Sequence, residues 1–251
     1  MLASVHLDRG AGPAVVLLHG VGAGPGSFAA IVERLADDHR CLVIERPGRG
    51  LDHAVALDDQ AHAVARVLGE VGGVGARLVG VSGGATLGLL LGIRHPHLFA
   101  DLVLHEPLVG PLAPALHDRF RGAADRAAAS PEDALAVARS VMGERAWDAL
   151  GDEGRAAAVA DAPRWQGEIA AFAGFAPTRI ELAGLRSSGL VVTLGAESGP
   201  ERAEAALVLQ DVADATIARI PGTTNAPHLE APDAFAGVLR SLRPAALGGP
   251  R

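Results

Sequence analysis

The sequence predicts an α/β protein: a doubly wound, mostly parallel sheet with an inserted helical lid. Three observations carry that prediction. Short, continuous apolar runs recur along the chain and read as strands buried on both faces. Stretches of helical periodicity separate them, which implies βαβ units. Between Pro107 and Leu185 the alternation stops, and the chain becomes Ala-rich with helix formers throughout.

Ala14 to Leu18 is the first run and ends at His19-Gly20. After the start signal Pro25-Gly26-Ser27, residues Phe28, Ile31, Val32 and Leu35 share one helical face. Cys41 to Ile44 is the second run, and a helical pattern over Ala61–Leu68 follows. Ala76 to Val81 is the third run, leading into a helical segment at Ala85–Ile93, and Leu102 to Leu104 is the fourth. Strand-like runs resume at Leu190–Leu194 and Ala215–Ile220. Residues 1–107 and 186–251 therefore form the sheet-bearing core, and 108–185 the lid, which should cover the carboxyl ends of the strands where ligands bind in such sheets. In the lid, Ser130-Pro131-Glu132-Asp133 is a helix start, with Ser at the N-cap and Pro at the first helical position. The tail from Arg243 to Arg251, rich in Pro, Gly and Ala, is expected to be mobile.

Composition narrows the function. The chain has 251 residues, enough to bury a sizeable core, and 49% of them are hydrophobic. The net charge is −7, all basic residues are Arg, and aromatics make up 3%. An acidic, aromatic-poor chain without a basic run does not read as a nucleic-acid binder. Its few aromatics concentrate in the lid, at Phe120, Trp147, Trp165, Phe172 and Phe175, where a bulky apolar ligand would sit. No apolar run is long enough to span a membrane, and the amino terminus lacks a signal-peptide pattern, so a cytoplasmic protein is expected. The single cysteine, Cys41, excludes an internal disulfide and reads as a small buried hydrophobe. No spacing of His, Asp or Glu suggests a metal site, and no cofactor is expected. The sequence leaves room for a homodimer.

The chemistry is expected at Gly80-Val81-Ser82-Gly83-Gly84, which fits G-x-S-x-G. The pattern alone is weak, but here a strand precedes it and a helix follows, as a nucleophile elbow requires. The Gly83 N–H is one oxyanion donor, and Gly20 or Val21, in the Gly-rich loop 19–24, supplies the second. His19 reads as a structural loop residue. The rival reading, a dinucleotide-binding turn at Gly20-Val21-Gly22 with Glu45 as the ribose acid, fails because Pro25 stands where the third glycine is due.

Two carboxylates compete as the acid that orients a base. Glu106 follows the fourth strand in Leu104-His105-Glu106-Pro107. Glu197 follows the fifth, where the acid of this chemistry is commoner, although Ser198 stands in the usual slot. Resemblance separates them. Val79 to Ala85 together with Leu104 to Pro107 is similar to the zearalenone lactonases of the α/β-hydrolase fold, and the likeness continues through Glu144–Glu153, Ala162–Trp165 and Val192–Ala196. It implies that Glu106, at the family's spacing after the serine, is the acid. It also implies that Trp165 contacts the lactone.

The resemblance places the catalytic His in Ile220 to Asp233, at the position held by Asn225. An amide is not a titrating base. Three accounts follow: a hydrolase whose base is replaced, a rearranged loop in which His228 serves as the base, or a fold put to other chemistry. His95 and His97 read as surface or capping residues. The expected function is serine-based hydrolysis of a small apolar ester or lactone, impaired by Asn225. The alternatives are a lyase, cyclase or isomerase acting on a polyketide-like ligand, or a silent binding protein.

Overall fold

A computed structural model describes residues 3–48, 50–186 and 188–242. In chain order the elements are β1 (Ser4–Arg9), β2 (Ala14–Leu18), α1 (Ala29–Leu35), β3 (Arg40–Glu45), α2 (Leu57–Glu70), β4 (Ala76–Val81), α3 (Gly83–Arg94) and β5 (Phe99–His105). The inserted segment supplies α4 (Pro114–Ala127), α5 (Pro131–Met142), α6 (Glu144–Ala149), α7 (Gly151–Ala173) and α8 (Arg179–Ala183). The chain then returns through β6 (Leu190–Gly195), α9 (Pro200–Ala213), β7 (Thr216–Ile220), α10 (Pro227–Glu230) and α11 (Pro232–Ser241).

Among the described residues the strands form one seven-stranded sheet in the order β1-β3-β2-β4-β5-β6-β7. Every neighbouring pair is parallel except β1 with β3. The continuous apolar runs become strands covered on both faces: every residue of β4 is buried, as are Val15 to Leu18 of β2. One apolar cluster joins one face of the sheet to α2, α3 and α9, and includes Leu78, Leu87, Leu104, Val192 and Leu209. A second, with Leu17, Ile31, Val43, Val79 and Phe235, fills the opposite face beneath α1 and α11. This is the doubly wound sheet the sequence predicts.

β1 is an addition to that expectation. Its residues alternate between exposed and half-buried, and it pairs antiparallel at the sheet edge. A half-wet edge strand lacks the continuous apolar run that marks the others. The tail at 243–251 and its expected mobility lie outside the described residues.

The inserted helices α4 to α7 share their own apolar cluster, built on Ala127, Val137, Met142, Trp147, Trp165 and Ile169. The Ser130 hydroxyl caps α5 by accepting from the Asp133 N–H at 3.0 Å, and Pro131 begins the helix. The last part of the insertion packs elsewhere: Leu182 and Leu185 join the cluster on the sheet.

Candidate active site

Ser82 stands between β4 and α3 with φ 54° and ψ −119°. A non-glycine residue there is strained, and surrounding contacts must hold it. They do. The Ser82 N–H donates to the His105 carbonyl at 2.9 Å, and the Ser82 carbonyl accepts from Ala85 and Thr86 at 2.9 and 3.0 Å. The flanking glycines make the crossing possible. A Cβ on Gly80 would lie 2.5 Å from the Gly84 carbonyl oxygen, and one on Gly84 would overlap the Leu18 carbonyl oxygen.

The loop after β2 runs beside this turn. A Cβ on Gly20 would come within 3.1 Å of the Ser82 Cβ and 3.6 Å of the Gly83 nitrogen. The Gly20 carbonyl accepts from Arg46 Nη2 at 3.2 Å and lies 3.0 Å from His19 Nδ1. In a trans peptide this anchoring aims the Val21 N–H the opposite way. Arg46 is itself buried, bonded to Gln60 Oε1 at 3.0 Å and ion-paired with Glu168 of α7. The loop geometry is therefore tied to an inserted helix. His19 is buried within this cluster; burial and nearby Arg46 push its proton affinity down.

Glu106 follows β5, also at positive φ (53°). Ser82 and Glu106 are two of three non-glycine residues in that region among those described; Asp214, capping α9, is the third. The Glu106 carboxylate reaches across the end of β6. Its Oε1 accepts from the Gly195 N–H at 3.1 Å and from the Ser198 hydroxyl. Its Oε2 accepts from Asn225 Nδ2 at 3.0 Å and lies 3.4 Å from Arg202 Nε. Burial alone would raise this carboxyl. The Arg202 guanidinium, with hydrogen bonds from Ser198 and Asn225, outweighs it and holds the group ionised, below its usual value.

The loop that carries Asn225 is pinned from several sides. Glu230 accepts from the Thr224 N–H at 2.6 Å and the Thr224 hydroxyl at 2.8 Å. His105 lies 2.8 Å from the Thr224 carbonyl through Nε2 and 3.0 Å from the Thr193 hydroxyl through Nδ1. Burial pushes His105 toward its neutral form. A carbonyl can only accept, so the single proton sits on Nε2. The Thr223 carbonyl accepts from the Glu197 N–H at 3.0 Å.

The structure therefore brings Ser82, Gly83, Gly20, Val21, Glu106 and Asn225 to one place, and leaves other candidates outside it. Glu197 turns to solvent and pairs with Arg145 at 2.7 Å. His228, the fallback base, stacks on Phe28 with ring centroids 4.7 Å apart, and its Nε2 is 3.2 Å from the Ser27 hydroxyl. That hydroxyl donates to the Gly24 carbonyl, so it accepts from His228. Burial pushes the His228 imidazole down to about 3, a poor proton acceptor at neutral pH. Cys41 is buried, and burial pushes its thiol up to about 11.

A cavity of about 30 Å³ lies over Ser82. The core contributes Val21, Gly83, Glu106 and Leu108; the inserted helices contribute Phe120, Val137, Val141, Ile169 and Phe172; α9 contributes Arg202. Trp165, expected against the ligand, does not line this cavity. It is buried inside the inserted cluster, one turn before Ile169, and its indole N–H has no partner there among the described residues. Phe120 and Phe172, two of the lid aromatics expected near the ligand, line the cavity, whereas Arg202 carries no motif by which the sequence marks it. They come from three different helices.

A parallel sheet crossed at its centre by a strained serine between strand and helix defines the architecture of the α/β hydrolases. The chain belongs to the alpha/beta hydrolase family, whose family model matches residues 15–238. Among curated relatives it is 30% identical over 117 residues to the uncharacterized hydrolase YraK of Bacillus subtilis, covering 43% of this chain and 42% of that protein. It is 40% identical over 60 residues to a pimeloyl-[acyl-carrier protein] methyl ester esterase of Xylella fastidiosa, covering 22% of this chain and 24% of the esterase. The chain thus spans less than half the length of each. Among solved structures, a thermophilic esterase from Thermogutta terrifontis superposes with a TM-score of 0.75 at 19% identity, covering 94% of this chain and 90% of the esterase. A hydrolase from Pseudomonas aeruginosa gives 0.75 at 21% identity, covering 94% and 92%. At such identities the likeness is one of fold. No helix among the described residues is long and apolar enough to cross a membrane.

Proposed function

We propose that this chain is a serine-hydrolase scaffold for small apolar esters or lactones, with turnover held down by Asn225. In this reading Ser82 Oγ attacks the ester carbonyl, and the Gly83 and Val21 N–H groups receive the oxyanion. The amino-terminal end of α3 adds favourable potential there. Glu106 stays ionised to orient a base.

One observation carries the proposal: Asn225 Nδ2 donates to Glu106 Oε2 at 3.0 Å. That is the bond an imidazole N–H makes to the acid of a catalytic triad. A carboxylate only accepts, so the amide must present its NH2 to Glu106 and keep its oxygen on the other side. An amide oxygen orients a hydroxyl but does not take its proton. Ser82 therefore attacks without a general base. His228 does not substitute, because its Nε2–H is committed to Ser27 and its proton affinity is low. Ligand binding without turnover is the second reading, and the same amide favours it.

The inserted helices act as a lid in this reading. A space of about 30 Å³ holds a water-sized group, not an ester, so substrate entry requires α4, α5 and α7 to move off Ser82. The His105-Glu106 pair supports a lactone as one substrate class; the place of Trp165 inside the insertion does not.

Hydrolysis of p-nitrophenyl acetate and of a medium-ring lactone tests the proposal, with the wild-type chain and Asn225→His side by side. Loss of a triad member costs on the order of 10⁴-fold or more in rate. Asn225→His is expected to raise kcat/KM by about 10³-fold or more. No gain, with the variant folded, overturns it.

A further inference from the structure

Of the polar residues lining the cavity, Ser82 and Glu106 have roles in the proposed reaction and Arg202 has none. Its side chain is buried, at 8% exposure. Its guanidinium carbon sits 4.9 Å from the Phe120 ring centroid, a cation–π contact. Nε faces Glu106 Oε2 at 3.4 Å, and Nη1 is buried with no hydrogen-bond partner among the described residues.

A purely structural counter-ion for Glu106 explains these facts poorly. Arginine is favoured for carboxylates because it pairs through two parallel N–H groups, and here one long contact is made. Glu106 also has Gly195, Ser198 and Asn225 as donors. A guanidinium keeps its charge and all five N–H donors at any ordinary pH. An N–H left over in an apolar wall is unfavourable unless something supplies an oxygen.

We infer that Arg202 is a specificity-determining residue whose Nη1 takes a second oxygen of the ligand, apart from the carbonyl offered to Ser82. The inference rests on the cavity being the ligand site of the reading above. The ligand oxygen must be an acceptor, because Arg only donates. Arg202 and Glu106 already cancel in charge, and the remaining walls are apolar, with Val137, Ile169 and Phe172 among them. A ligand carboxylate would bring an uncompensated charge into that space, which is strongly unfavourable. A neutral carbonyl brings none. The ligand class is therefore an oxo-ester or oxo-lactone, with a ketone or second ester carbonyl beyond the scissile group.

Equilibrium binding to the full chain tests this with three probes of similar size: ethyl levulinate with a ketone, monoethyl succinate with a carboxylate, and ethyl pentanoate with neither. Isothermal titration calorimetry is expected to show ethyl levulinate binding about tenfold tighter than ethyl pentanoate. Arg202→Met is expected to bring that ratio to about one. Arg202→Gln keeps an N–H donor for Glu106 and, if the Met variant does not fold, provides the same comparison. The ratio within each variant is the readout, since a loosened fold weakens both ligands together. Equal binding of the two by wild type, or a preference that survives in both variants, overturns the inference. Tighter binding of monoethyl succinate overturns the choice of a neutral oxygen. Binding needs no base, so a failure of Asn225→His to gain turnover would sink the hydrolytic reading while leaving this preference measurable.

Discussion

The loop after β4 and the loop after β7 are both tightly constrained, yet they present different chemistry. At the first, close packing does the work: Gly80 and Gly84 let strand and helix cross in contact, and Ser82 is held at φ 54°. At the second, hydrogen bonds do it: Glu230 holds Thr224 twice, and His105 holds its carbonyl. The first loop presents the hydroxyl that the proposed reaction uses as its nucleophile. The second ends in an amide bonded to an ionised acid. Positioning and proton transfer are thus separable properties. The scaffold of the second loop stands complete around a side chain that cannot act as a base.

Three changes probe this contrast. The largest effect is expected where packing leaves no slack. Gly84→Ala drives a methyl group into the Leu18 carbonyl and should cost on the order of 3 kcal/mol, read as a lower urea midpoint at unchanged slope. A midpoint equal to wild type would mean the elbow is looser than its geometry. A smaller loss is expected at the second loop. Glu230→Gln keeps the shape but turns one acceptor into a donor facing the Thr224 N–H or hydroxyl, and should cost about 2 kcal/mol. Amide exchange at Thr224 and Asn225 should speed up while exchange in α3 is unchanged. Equal acceleration in both regions would erase the distinction between the loops.

The third change concerns pH. His228 is buried neutral, with its proton affinity pushed down to about 3, against about 6.5 for an ordinary imidazole in the unfolded chain. Between those values the unfolded state binds more protons, so stability falls as pH drops through that window. His19 and His105 are also lowered by burial and add to the same slope. His228→Phe, with a similar ring on Phe28, should make the decline shallower without abolishing it. An unchanged slope in denaturant titrations from pH 7 to 4 would show that His228 is not held neutral.

The same division separates what the sequence carries from what only the fold supplies. Buried strands announce themselves as apolar runs, because both faces must be covered; β1 did not, because its outer face is wet. The elbow was legible because its glycines are required at fixed offsets from Ser82. The resemblance puts Asn225 in the slot of the base, and so implies that it faces Glu106, 119 residues away. The Arg46–Glu168 pair, 122 apart, which couples the inserted helix to the Gly20 loop, has no sign in the sequence. Trp165 shows the limit of reading a helix by resemblance. It shares a face of α7 with Ile169 and Phe172, yet only those two reach the cavity, and Trp165 is spent on the interior of the insertion. Arg202 offered no signal at all, since a lone Arg near a helix start is ordinarily a solvated one.

In the proposed reaction Ser82 is poised to attack and lacks only a proton acceptor. Covalent labelling by a fluorophosphonate reads that step directly, because it needs the nucleophile and its base but no deacylation. Intact-mass time courses on wild type and Asn225→His, with peptide mapping of the adduct, give the rate and the site. Slow labelling of wild type is expected, with labelling faster by about 10³-fold in Asn225→His and an adduct on Ser82 in both. Equal rates in the two chains, or an adduct elsewhere, would contradict it.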